Sequence, residues 1–419
     1  MRYIRWMRTP TPARARRSVT ALSVSTITVA LIACVGDDPV GLAPGSPVDS
    51  SGESPGTADG GSDAGVSTDG ETADATVPCA PNETRCGDVC VDLSSSSDHC
   101  ARCNRSCGGA KCELGVCGVD TFATGLTGLN AFALDETHVY FTLGNFVRRC
   151  PKAGPCAGAA VQTLADFTGQ NDDGTGAIMV AGSRIIFVGA VNGSTIRLYN
   201  CPVTGCDQLK GFASSRAGFA DIAIAGEQVY FYNPMSGVQS STCSANGDCT
   251  ETANRASNTF TDAPLAATAI HYYFAKKNGS SRVGIARCPA SENSCTTAED
   301  VASVENVQKF WIRDDLLVIF WPGGQGGGSR VGRCSLEDCK TITDVRRSTL
   351  TFTDATLEGD HLFWIEEGDL KTCPITSCAA PTTLASGLNE PRDLQVDEQF
   401  VYWIEKSGPE VSTIRRVAR

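Results

Sequence analysis

Seven short, wholly apolar runs recur between residues 119 and 419: Val139-Tyr140-Phe141, Ile185-Ile186-Phe187, Val229-Tyr230-Phe231, Tyr272-Tyr273-Phe274, Val318-Ile319-Phe320, Leu362-Phe363-Trp364 and Val401-Tyr402-Trp403. Counted between middle residues, the successive spacings are 46, 44, 43, 46, 44 and 39. Val, Ile, Tyr, Phe and Trp make up these runs, and Gly, Asp and Ser bound them, which is the composition of β-strands. In the sixth unit, Ala355 to Leu357 reads as a first strand, Glu358-Gly359-Asp360 as its turn and His361 to Ile365 as a second strand. Leu370 to Cys373 follows as a third strand and Pro381 to Ala385 as a fourth. No long helical periodicity competes.

Four short strands repeating at this period make one propeller blade, so the pattern predicts an all-β chain ending in a seven-bladed β-propeller over 119–419, with six blades as the alternative count. The ends supply a check. TFATGLTGLNAFALDETHVYF near the start aligns with TLASGLNEPRDLQVDEQFVYW near the end, and the last unit stops at its third strand. Thr121 to Gly125 is placed to supply the missing fourth strand and close the ring, which leaves only short, protected sheet edges.

Twenty-one cysteines then change the picture, because reduced compartments rarely carry so many. Twelve form six close pairs at one place in the repeat: Cys150/Cys156, Cys201/Cys206, Cys243/Cys249, Cys288/Cys295, Cys334/Cys339 and Cys373/Cys378. Each is expected to clip the hairpin between third and fourth strands, and the seventh unit, whose fourth strand comes from elsewhere, has none. Eight more fall at Cys79, Cys86, Cys90, Cys100, Cys103, Cys107, Cys112 and Cys117. A segment of that length (79–118) cannot build a self-sufficient core, so four disulfides are expected, and eight cysteines allow 105 connectivities. Zinc competes on the Cys100-x-x-Cys103 spacing; an oxidising compartment favours the disulfides.

The remaining cysteine is Cys34. Residues 1–33 pair an arginine-rich start, free of acid, with the apolar stretch ALSVSTITVALIA from Ala21 to Ala33, which is the form of an export signal and too short to span a bilayer. Leu31-Ile32-Ala33-Cys34 resembles the lipobox of bacterial lipoproteins. The resemblance implies cleavage after Ala33 and acylation of Cys34, with several chains giving the firm membrane hold that one does not. Ordinary cleavage beside an incidental cysteine is the alternative. Residues 35–78 are Gly, Ser, Asp, Pro and Thr with hardly a large apolar side chain, so they read as a disordered tether reaching on the order of 35–40 Å. Their acids lack the spacing of a calcium loop.

The order C-G-x-x-C-V-D-L, then D-H-C-x-x-C-x-x-x-C and C-x-x-x-x-C, resembles the stigma-specific cysteine-rich family, and such modules recur in lipoproteins of myxobacteria. The match covers 79–117, departs at Asp98-His99-Cys100-Ala101, and implies an extracellular spacer or binding knob. The repeats carrying Val-Tyr-Trp and Leu-Phe-Trp resemble bacterial propellers similar to the low-density-lipoprotein-receptor and NHL types, a likeness that implies fold and leaves the ligand open.

A net charge of −12 and a pI near 4.9 argue against nucleic-acid binding, which requires clustered cations to neutralise phosphates. His138, His271 and His361 occupy one repeat slot before the second strand, and no nucleophile elbow, metalloprotease helix or phosphate loop is present. Asp221, Asp354 and Asp393 stand nine residues before their repeat cores, at the starts of first strands. Three carboxylates at a channel mouth would suit a cation or a basic ligand group; accepting local backbone hydrogen bonds is their ordinary role. Glycine-rich loops near 188, 276 and 322 read as flexible connections, with decoration of that same face as the alternative. The expectation is a non-catalytic lipoprotein of the cell envelope, outer membrane by preference, that presents the propeller to a protein or glycan and needs no cofactor. The alternative is a propeller enzyme of lyase or hydrolase type with a channel metal, and a self-associating envelope component is a third.

Overall fold

The computed structural model describes residues 4–5 and 78–419, apart from 169–174, 192–194, 207–208, 260, 280 and 323–327. Cys34 and the tether, and the leader apart from the backbone of Ile4–Arg5, lie outside the described residues. From Asp120 onward the chain forms seven antiparallel blades, six built from four consecutive strands and one that takes its fourth strand from the other end of the chain, the all-β seven-bladed propeller that the repeat predicts. The first blade runs outward through Leu129–Leu134, His138–Leu143, Phe146–Pro151 and Gln162–Asp166. The third, Asp221–Ala225 to Ala253–Ser257, also carries the short strand Ile4–Arg5, paired with Ile222 and Asp221.

The seventh blade joins both ends of the ring. Arg392–Val396, Phe400–Lys406 and Val411–Ala418 form its first three strands, and Asp120–Thr127 supplies the fourth. The pairing is antiparallel, with Thr127 opposite Val411 and Asp120 opposite Arg416.

The apolar runs show no polar alternation because each sheet is covered on both faces. Successive side chains of a strand point to opposite faces, so one run feeds two seams. Val139 and Phe141 of the first blade pack with Tyr402 and Ile404 of the seventh, whereas Tyr140 faces the second blade. Tyr230 and Tyr232 meet Tyr272 and Phe274. Val318 and Phe320 meet Leu362 and Trp364, and Phe363 and Ile365 meet Val401 and Trp403. The hydrophobic core is therefore a ring of sandwiches between blades.

All six paired cysteines of the repeats are bonded: Cys150–Cys156, Cys201–Cys206, Cys243–Cys249, Cys288–Cys295, Cys334–Cys339 and Cys373–Cys378. Each closes the connection from third to fourth strand, and all lie on one rim. In the cysteine-rich module the bonds are Cys79–Cys90, Cys86–Cys103, Cys100–Cys112 and Cys107–Cys117. They hold two small hairpins, Thr84–Cys86 with Val89–Val91 and Cys112–Glu113 with Val116–Cys117.

The module is packed on the propeller. Buried Cys100, Cys107, Cys112 and Cys117 share one apolar cluster with Phe122, Phe400, Ile414 and Ala418 of the seventh blade. Arg105 donates from Nε to the Arg419 carbonyl at 3.1 Å and from Nη2 to that of Ala418 at 3.2 Å. Arg416 returns a bond from Nη2 to the Gly108 carbonyl at 3.0 Å. Gly108 has a φ of +65°, and a Cβ there would stand 2.4 Å from Phe400 Cζ, so only glycine admits this approach. The module thus occupies the rim position of the one blade without a disulfide clip.

Candidate functional site

The three aspartates lie where the repeat puts them, at the starts of first strands, and each spans a seam between blades. Asp221 accepts the Ile222 N–H on Oδ1 at 2.9 Å and the Leu265 N–H of the next blade on Oδ2 at 2.7 Å. Asp354 repeats the arrangement, with Ala355 N–H on Oδ1 and Leu394 N–H on Oδ2, both at 2.8 Å. Asp393 accepts the Phe132 N–H on Oδ2 at 2.9 Å and the Gln395 side-chain amide on Oδ1 at 3.3 Å. Asp221 and Asp354 are buried.

Charge around them is uneven. Lys309 places its Nζ 3.6 Å from Asp354 Oδ1 and donates to the Ala355 carbonyl at 2.6 Å. Asp393 is left with Arg392, whose guanidinium is spent on the carbonyls of Asn130 and Leu129 at 2.9 and 2.8 Å. Burial, helped by the Asp354 charge, pushes the Asp393 carboxyl up to about 6 against the pull of the Phe132 N–H. Its backbone sits at a φ of 55°, in the left-handed region that Asp tolerates better than most residues.

These carboxylates already serve as acceptors for main-chain N–H groups across the seams, which is a structural use for them. Asp354 and Asp393 belong to adjacent blades, and Asp221 belongs to the third. Among the described residues, the group of side chains with metal-ligating atoms drawn within 4.8 Å is instead Cys100, Cys107 and Cys112. Their sulfurs are tied up in the Cys100–Cys112 and Cys107–Cys117 bridges, whereas metals bind thiolates.

His138, His271 and His361 begin second strands, at the opposite end of the first strands from the aspartates. His361 Nδ1 lies 2.6 Å from Asp360 Oδ1, and His138 Nδ1 lies 2.7 Å from Thr137 Oγ1. Burial lowers the pKa of His138 and His271. Histidine and channel aspartate therefore share no site among the described residues. The glycine-rich stretches fall at the turns between second and third strands, on the aspartate rim, partly outside the described residues.

Two cavities had no sequence signal. One of about 660 Å³ opens at the disulfide rim, walled by Leu134, Asp135, Glu136, Met179, Val180 and Ile224 from three blades. Another of about 600 Å³ separates module from ring, with Gly109, Asp120, Lys152, Phe400 and Arg416 among its walls. Its cations are matched locally: Lys152 Nζ lies 2.7 Å from Asp397 Oδ2, and Arg416 Nε 2.8 Å from Asp120 Oδ2. Both assemble from residues far apart in sequence, which is why neither shows as a motif. Among the described residues no helix is long and apolar enough to cross a membrane.

No protein-family model and no curated protein matches the chain. Solved structures align with the chain at low identity. A computationally designed protein, Ika8, aligns at 10% identity and a TM-score of 0.46, covering 71% of this chain and 99% of that one. A chain of the mitotic checkpoint complex aligns at 12% and 0.48, covering 72% and 94%. The AfRom2 CNH domain aligns at 9% and 0.47, covering 72% and 99%.

Proposed function

We propose that the chain is an exported lipoprotein, held to the cell envelope by acyl groups on Cys34, whose propeller is a non-catalytic binding surface for a protein or glycan partner. The observation that carries this reading is the set of ten disulfides between Cys79 and Cys378, a state that persists only in an oxidising compartment. The Leu31-Ile32-Ala33-Cys34 lipobox likeness supports the anchor, and the tether length leaves the anchored fold free to orient at the membrane surface. The likeness of residues 79–117 to stigma-specific modules agrees with an extracytoplasmic interaction role.

Support for a binding role over catalysis comes from how the polar groups are used. The channel carboxylates hold main-chain N–H groups of neighbouring blades, and the histidines stand on the other rim. The cavity at the disulfide rim, with an apolar floor of Leu134, Met179 and Ile224 beside Asp135 and Glu136, has the size and mixed character of a ligand site.

A propeller enzyme with a channel metal draws on one observation, the closeness of Asp354 and Asp393 that helps raise the latter's pKa. Mass spectrometry and metal analysis of the native chain separate the two. The binding reading expects an acylated amino terminus at Cys34, no free thiol and no stoichiometric metal. One bound metal that is lost in Asp354→Asn/Asp393→Asn would sink it in favour of the enzyme.

A further inference from the structure

Among the described residues, the large apolar side chains left exposed are Val89, Leu114, Val116, Met235 and Ile270. Three of these belong to the small cysteine-rich module. Leu114 is 92% exposed, at the tip of the hairpin in which Glu113 faces Val116. Its φ is 52° and that of Gly115 is 78°, so both central residues of the turn are left-handed. Such a turn is served best by Asn, Asp or Gly, and an ordinary side chain at its first position is disfavoured. Leucine here helps neither the turn nor the core.

The tip is exposed but not loose. Its two strands are held at the base by buried Cys112 and Cys117, bonded to Cys100 and Cys107, and Gly118 N–H closes on the Lys111 carbonyl at 2.9 Å. Through Arg105 and Gly108 the module is fixed to the seventh blade, so the tip keeps one orientation relative to the whole ring.

The occupant of this tip follows from where the tether arrives. Forty-four residues separate Cys34 from Cys79, and Cys79 is bonded to Cys90, beside exposed Val89. The anchored end of the chain thus enters the fold on the module that carries the exposed apolar groups. The module packs at the end of the seventh blade's third strand, and Ile270, in the turn before the fourth blade's second strand, lies on that same rim. Four basic and five acidic side chains in 79–118 nearly cancel, so contact with a surface there rests on apolar area rather than on charge.

We propose that the Leu114-Gly115-Val116 tip inserts into the lipid surface to which the chain is tethered, orienting the propeller with its aspartate rim outward. The inference rests on the lipid-anchor reading above.

The test uses the mature chain from residue 34 with Cys34→Ser, which lacks the apolar leader and cannot be acylated, in flotation with phosphatidylcholine vesicles. The expected result is partition to the vesicles that is insensitive to salt and falls by roughly tenfold or more in Leu114→Asn/Val116→Thr. Leu114→Asn suits the turn, so its melting temperature should hold or rise, and loss of binding then cannot be unfolding. No partition, or partition unchanged by the double substitution, overturns the proposal. Self-association abolished by the same substitutions would also overturn it and assign the tip to a second copy. Whether native Cys34 is acylated is read separately from the mass of the amino-terminal peptide, so failure of the anchor leaves the vesicle result interpretable.

Discussion

Asp393 in the seventh blade accepts the Phe132 main-chain N–H of the first at 2.9 Å, across the seam where the ring closes on itself. Its carboxyl is held near 6 by burial, against 3.8 for an unperturbed Asp. The native state therefore binds this proton more tightly than the unfolded chain, and the contribution of Asp393 to stability is largest below 3.8 and is lost as pH rises through 6. Asp393→Asn keeps an acceptor for Phe132 and suits the left-handed backbone. The variant should match or exceed the native melting temperature at pH 7.5 and lose that advantage at pH 4, a swing of at most about 3 kcal/mol. Thermal melts at the two pH values check it.

Asp221→Ala and Asp354→Ala strand the N–H groups of Leu265 and Leu394 in the buried seam. Each should cost about 1–3 kcal/mol in urea unfolding, and the two should add, because the third and sixth blades share no seam. A channel-ligand role alone would leave the unfolding midpoint nearly unchanged.

Arg416 holds Asp120, the carbonyls of Lys152 and Gly108, and the Phe400 ring, the last at 4.7 Å. Lysine cannot reproduce this fork, so Arg416→Lys should destabilise nearly as much as Arg416→Ala, by about 2–4 kcal/mol. Hydrogen exchange should rise first at Val411–Ala418 and Asp120–Thr127, and stay unchanged in the fourth blade.

Removing a rim bridge as Cys373→Ser/Cys378→Ser opens a small loop and should cost about 2 kcal/mol. Removing Cys107–Cys117 should cost more, because it loosens the module that grips the seventh blade. Denaturant midpoints of the two double variants rank them, and equal losses would mean the module adds nothing to ring closure.

The blades were legible because burial on both faces leaves unbroken apolar triplets at a fixed period, and the shortened seventh unit pointed to a strand supplied from Thr121 onward. The same six spacings that mark the rim pairs are the ones the structure bonds. Asp221, Asp354 and Asp393 were visible as a register position. Their reach into the neighbouring blade was not, since the partners are main-chain N–H groups that any residue provides. The grip of Arg105 on Ala418 and Arg419 was hidden for the same reason, and the four module bridges were one arrangement out of very many. Leu114 showed no signal until its backbone angle and exposure were known.

The module has a mechanical consequence as well. A pull along the chain from the amino-terminal side reaches the ring through a knot of four disulfides, which cannot lengthen. That knot leads into Asp120–Thr127 and also grasps the end of Val411–Ala418 beside it. Load is shared between two neighbouring strands instead of peeling away the outermost one, so the joint that closes the circle is also the joint best shielded against being drawn open.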